Sequence, residues 1–118
     1  METLAEKQKI FADIIWQEAP IASRALAEIC EEKLGWKRTT TYTMLKGLCE
    51  KGLFENQNGT VIALMSKEDF GAAQGKAVLR ESFGGSLPTF LAAFTRKNKL
   101  SDTDIAALEA LIAAHKED

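Results

Sequence analysis

About fifty residues with apolar positions at helical spacing give way, after Gly52, to two short apolar pieces, Leu53-Phe54-Glu55 and Thr60-Val61-Ile62-Ala63-Leu64, flanking Asn56-Gln57-Asn58-Gly59. Few folds accommodate that change of period. Asn-Gly supplies the two left-handed residues that a two-residue turn needs, so the pieces read as strands of a β-hairpin. Ahead of them, Leu4, Ile10, Phe11, Ile14 and Ile15 predict an amphipathic helix over residues 3–18, opened by a capping box of Thr3 and Glu6 and stopped at Pro20. Leu26, Ile29, Cys30 and Leu34 mark a second helix, with Ala22 or Ser23 as candidate N-caps and Gly35 as its stop. A third begins after Lys37-Arg38 in a run of threonines, any of which can cap it; it carries Met44, Leu45, Leu48 and Cys49 inward and ends at Gly52. Three helices followed by a hairpin form the winged-helix version of the helix-turn-helix, with the third helix presented outward and the hairpin as the wing.

The second half returns to helical spacing. Ser66 with Asp69 predicts a capped helix running to Phe83, where Gly84-Gly85 breaks it. Ser86 caps the next helix, which tolerates Pro88 in its first turn and places Leu87, Phe90, Leu91 and Phe94 in one apolar stripe. Ser101-Asp102-Thr103-Asp104 opens a last helix with Ile105, Leu108, Leu111 and Ile112 on one side. Three short helices in about fifty residues have too little interior for so many leucines and phenylalanines, and a second copy of the chain is the simplest cover. The expected fold is mainly α with a small β-hairpin: a winged helix-turn-helix domain over residues 1–66 and a helical dimerisation domain over 67–118. Folding back of the second segment onto the first as one core is the alternative. Gly71 and Gly75 form a small-xxx-small pair, read as chance or close helix packing.

Charge then locates a function. The chain of 118 residues carries a formal net charge of −2, which argues against non-specific coating of nucleic acid and requires any DNA contact to be local. Such a patch exists: Lys37, Arg38, Lys46 and Lys51 against Glu50 leave a local excess of three positive charges. In helix-turn-helix geometry Thr39, Thr40, Thr43 and Lys46 lie along the groove-facing side of the third helix, while Lys37, Arg38 and the free N–H groups of its first turn suit phosphate. Asn58 and Thr60 are the wing candidates. Trp36 reads as a packing anchor between helices two and three, and Tyr42 is the only tyrosine, too little for single-stranded stacking.

Other function classes find no foothold. His115, the only histidine, falls at the last helix's end, and no Ser-His-Asp set, HExxH or phosphate loop is readable, so the chain is not expected to be an enzyme and needs no cofactor. Cys30 and Cys49 lack metal-ligand spacing, so no metal site is expected and both read as small buried hydrophobes in a reducing cytoplasm. Without an apolar run of about 18 residues or a signal-like N-terminus, the chain is expected to be cytoplasmic, with no membrane partner.

The run from Trp36 through Thr43 to Leu48, with Glu50-Lys51-Gly52-Leu53, resembles the recognition-helix segment of the penicillinase repressor family, the BlaI/MecI/CopY-type winged-helix repressors. Phe83-Gly84-Gly85-Ser86-Leu87, Leu91-Ala92-Ala93-Phe94 and Lys99-Leu100-Ser101 are similar to that family's dimerisation region, and Ile14-Ile15-Trp16 to the end of its first helix. The resemblance implies a cytoplasmic homodimeric transcriptional repressor that binds an inverted-repeat operator in double-stranded DNA. It carries Thr39, Thr40, Thr43 and Lys46 onto the recognition helix, and Phe83 with the helices after it onto the dimer interface. Three departures stand out. Ala93-Phe94 occupies the place of the antibiotic-responsive members' scissile Asn-Phe bond, so the resemblance does not bring proteolytic release with it. The tail has no cysteine cluster of the copper-responsive kind, and Gly59 is followed by Thr60 where the wing usually carries Arg. A winged-helix module that docks proteins, without sequence-specific DNA binding, is the rival reading. Operator, regulated genes and inducing signal, whether a protease or a small-molecule effector, are not written in the chain.

Overall fold

The computed structural model describes residues 4–117, which form six helices and three strands in the order α1 (Glu6–Glu18), β1 (Ile21–Ala22), α2 (Ser23–Leu34), α3 (Arg38–Glu50), β2 (Phe54–Gln57), β3 (Thr60–Ala63), α4 (Lys67–Phe83), α5 (Leu87–Thr95) and α6 (Asp102–Lys116). The chain divides into two compact units, Met1–Ala77 and Val78–Asp118. None of the helices among the described residues is long and apolar enough to cross a membrane.

In the first unit α1 begins later than its periodicity suggests. The expected cap, Thr3, lies outside the described residues; Ala5 is the N-cap, and its N–H donates to Gln8 Oε1 at 2.9 Å. Pro20 stops the helix by forcing the residue before it out of the α region, so Ala19 is extended at ψ 144°. Phe11, Ala12, Ile14 and Ile15 turn inward, whereas Ile10, expected on the same face, is 43% exposed. One residue is about 100° of helix rotation, enough to swing Ile10 off the face centred on Phe11 and Ile15. Next, α2 starts from Ala22 and ends on Gly35 in the left-handed conformation, φ 68°.

The hairpin closes through Asn58 (φ 52°) and Gly59 (φ 94°), the two positive φ angles of a type I′ turn, and the Gly59 N–H donates to Asn56 Oδ1 at 2.8 Å. Register pairs Phe54 with Ala63 and Gln57 with Thr60. A third strand extends the hairpin: β1 pairs with β3, Ile21 opposite Val61 and Ala22 opposite Thr60, so β3 is the middle strand. Two residues after a proline carry no period of their own, and only the sheet makes them a strand.

Phe11 and Ile15 from α1, Leu26 and Cys30 from α2, Leu48 from α3, and Leu53, Phe54 and Val61 from the hairpin close one core, all 1% exposed or less. Burying a side chain of this size contributes about 1.5–3 kcal/mol. Trp36 leans its ring on Phe11 at 5.4 Å, so its partner is α1 in addition to the two helices it joins. The first turns of α4 belong to this core too, because Phe70 is buried and stacks at 5.8 Å on Trp16, whose indole N–H donates to the Met65 carbonyl at 3.0 Å.

The second unit has helices without a core. Its ends are well made: Gly84 and Gly85 take positive φ and the Gly85 N–H reaches the Leu79 carbonyl at 2.8 Å, while Ser86 and Ser101 accept from the Thr89 and Asp104 N–H groups. Phe83, Phe90 and Phe94 form a ladder with centroids 5.4 and 5.7 Å apart. Yet no described residue from 78 onward is buried.

Candidate nucleic-acid interface

Helix α3 sorts its residues by rotation. Thr41, Leu45 and Leu48 are buried and Met44 and Cys49 half-buried, which fixes one side against the core. At about 100° per residue, Thr39, Thr43 and Lys46 then fall within a stripe about 60° wide on the opposite side, and all three are exposed. Thr40 is exposed at the stripe's edge, as is Tyr42 at 40% on the other. In the sequence Tyr42 counts only as a lone tyrosine, too little for single-stranded stacking; its place beside the stripe comes from the helix.

The helix also begins earlier than the threonine run suggests. Its N-cap is Lys37, so the threonines lie inside the helix and none caps it. The reason is local: the first intrahelical bond runs from the Thr41 N–H to the Lys37 carbonyl at 3.1 Å, and no side chain caps the amides of the first turn. Those uncapped N–H groups carry the positive end of the helix dipole, and Lys37 and Arg38 stand exposed beside them. Neither lysine nor arginine there, nor Lys46, is held in an ion pair among the described residues. Lys51 is different: it is half-buried and donates to Gln8 Oε1 at 3.4 Å, which ties it to α1 at the far end of the helix.

Asn58 and Thr60 are both exposed, at and just after the turn. From Phe54 to Ala63 the hairpin's only charged side chain is Glu55, so it offers neutral hydrogen-bonding groups and no cation. A cation stands next to it instead. The Ser23 N–H donates to the Gly59 carbonyl at 2.7 Å, pinning the turn to the start of α2, where Arg24 is exposed. Arg24 could be found only once β1 had brought α2 to the wing.

Behind the stripe lies a buried pair. Burial pushes the Cys30 thiol up, and the Thr41 hydroxyl beside it works weakly the other way; Thr41 Oγ1 itself has no hydrogen-bond partner of good geometry. Burial also raises Cys49, with Glu55 and Glu50 adding to the rise and the Asn56 backbone opposing it. Both cysteines are free.

In the second unit the expected interface residues stay accessible in the single chain. Phe83, Phe90, Leu91 and Leu108 are half-buried, while Leu87, Phe94, Ile105, Leu111 and Ile112 are exposed, Leu111 by 67%.

A family model described as penicillinase repressor matches residues 4–114, nearly the whole chain. No curated protein matches it. Members of that family are transcription regulators, not enzymes.

Proposed function

Because the chain belongs to the penicillinase repressor family, we propose that it is a repressor that binds an inverted-repeat operator in double-stranded DNA as a homodimer, through the outward stripe of α3. The observation that carries this is the clean division of α3, with Thr39, Thr43 and Lys46 exposed opposite buried Thr41, Leu45 and Leu48. In the major groove the threonine hydroxyls reach base edges and their methyl groups pack on thymine. Lys37, Arg38 and the uncapped amides of the first turn hold phosphates and set the register. Asn58 and Thr60 add neutral contacts from the wing, and Arg24 supplies at the start of α2 the charge that the wing lacks.

The winged-helix domain over 1–66 is the reading head and the helical domain over 67–118 the dimerisation element, working in the cytoplasm. From residue 78 onward the helical domain has no buried residue among those described, which makes it a poor candidate for an independent monomer. Pairing with a second copy covers Leu87, Phe94, Leu111 and Ile112, and holds two heads at the fixed spacing an inverted repeat demands.

Salt-dependent binding to duplex DNA tests the head. Log affinity should fall linearly with log salt, Lys37→Ala and Arg24→Ala should each shallow the slope by about 1, and Thr43→Ala should leave the slope unchanged while relaxing base preference at one position. Binding that ignores salt would point to a module that docks protein instead.

A further inference from the structure

Within the first unit, α1 and the opening turns of α4 leave a cavity of about 190 Å³ between them, beside the joint where Phe70 stacks on Trp16. Its walls are Leu4, Trp16 and Phe70; its rim carries Lys9, Asp13, Lys67 and the Gln74 amide. Gly71 also lines it, and an added side chain there would meet no atom within 4 Å. Neither the groove-reading stripe nor the hairpin turn contributes to this cavity.

Size and charge together select an occupant. An apolar cavity of about 150 Å³ is enough to accept one benzene ring, so this one, at about 190 Å³, has room for a single six-membered ring. Trp16 and Phe70 offer flat aromatic surface, against which a ring packs edge-on or offset. At the rim Asp13 is already matched by Lys67 at 2.9 Å. Lys9 has no ion-pair partner among the described residues, so the rim carries one uncompensated positive charge. A ligand that puts its ring on Trp16 and Phe70 and an anionic group beside Lys9, within reach of Gln74, satisfies each feature.

We propose that this cavity is a binding site for a single-ring aromatic carboxylate. The site rests on its own geometry and stands whether or not the chain binds DNA. The pocket is open at the rim, so the carboxylate keeps part of its hydration and affinity is that of a small fragment.

Benzoate is the probe, read on the intact protein by the two tryptophan indole N–H resonances in a proton–nitrogen correlation spectrum. Trp16 lines the cavity and Trp36 does not, so one signal reports and the other is an internal control. Benzoate should shift the Trp16 signal saturably, with half-saturation at about 1 mM or below for a ligand of so few atoms, and leave Trp36 in place. Benzyl alcohol, the same ring without the charge, should bind at least about tenfold more weakly, a loss of about 1.4 kcal/mol. Lys9→Glu changes an exposed residue and should abolish the preference for benzoate. Gly71→Leu adds bulk to the lining and should weaken binding of both compounds. Equal shifts at both tryptophans, no saturation by about 10 mM, ten times the expected midpoint, or full binding by Lys9→Glu would each overturn the assignment.

Discussion

Thr41→Val separates what α3 does for the core from what it does for DNA. Thr41 is fully buried on the recognition helix, and its hydroxyl has no hydrogen-bond partner of good geometry. An unpaired buried polar group costs about 1–3 kcal/mol of desolvation, and replacing it with an apolar group of the same shape recovers that cost. Valine keeps the β-branched shape and has nearly the same helix propensity. The Cys30 thiol beside the hydroxyl gives it a weak contact, so the low end of the range applies: a gain of about 1 kcal/mol. For a unit of this size that raises the melting temperature by about 4–8 °C. Differential scanning calorimetry and urea titration measure the gain. DNA affinity of the same variant should stay within about twofold of the parent, under about 0.5 kcal/mol, because residue 41 faces away from the stripe. Thr43→Val, the same change two residues on, should do the reverse and alter base preference with little effect on stability. A destabilised Thr41→Val would mean that the hydroxyl is satisfied, and one that loses DNA affinity would mean that the two faces of α3 are misassigned.

Three further outcomes are expected. Leu91→Asp places a charge in the stripe of α5 and should yield monomers by sedimentation, with operator affinity falling at least about tenfold; a variant that stays dimeric and binds fully contradicts the proposed role of the helical unit. Gly59→Ala puts a Cβ at φ 94° in otherwise open space, so strain alone acts, and urea unfolding should show a loss of about 1–2 kcal/mol. Because the thiols of Cys30 and Cys49 are raised, both should alkylate slowly near neutral pH and faster as pH climbs past the ordinary thiol range. Between the unfolded and the higher folded value the folded chain holds more protons than the unfolded one, so stability should fall as pH rises through that window.

Much of this was legible because local chemistry and tertiary fold agree. Asn58-Gly59 demanded positive φ twice, and the structure supplies it; Gly35, Ser66, Ser86 and Ser101 stop or start helices where their side chains, or lack of one, dictate. What stayed hidden depends on partners distant in sequence. Ile21 and Ala22 become a strand only because β3 has a free edge there, and only that pairing sets the start of α2, with Arg24 one residue after the Ser23–Gly59 bond, beside the turn. The start of α3 is hard to read because three threonines, each able to cap, stand in a row at Thr39–Thr41 while the helix takes the earlier Lys37. Ile10 reads with its apolar neighbours although rotation sends it out. A binary pattern locates a face to within about one residue, and one residue is about 100°.

Operator binding by the homodimer is tested most directly by what the intact protein selects from a pool of random duplexes at about physiological salt, where specific contacts must exceed the phosphate background. An inverted repeat of fixed half-site spacing, lost in Leu91→Asp and altered at one position per half-site in Thr43→Ala, is the predicted result. A folded dimer that enriches no sequence would contradict it.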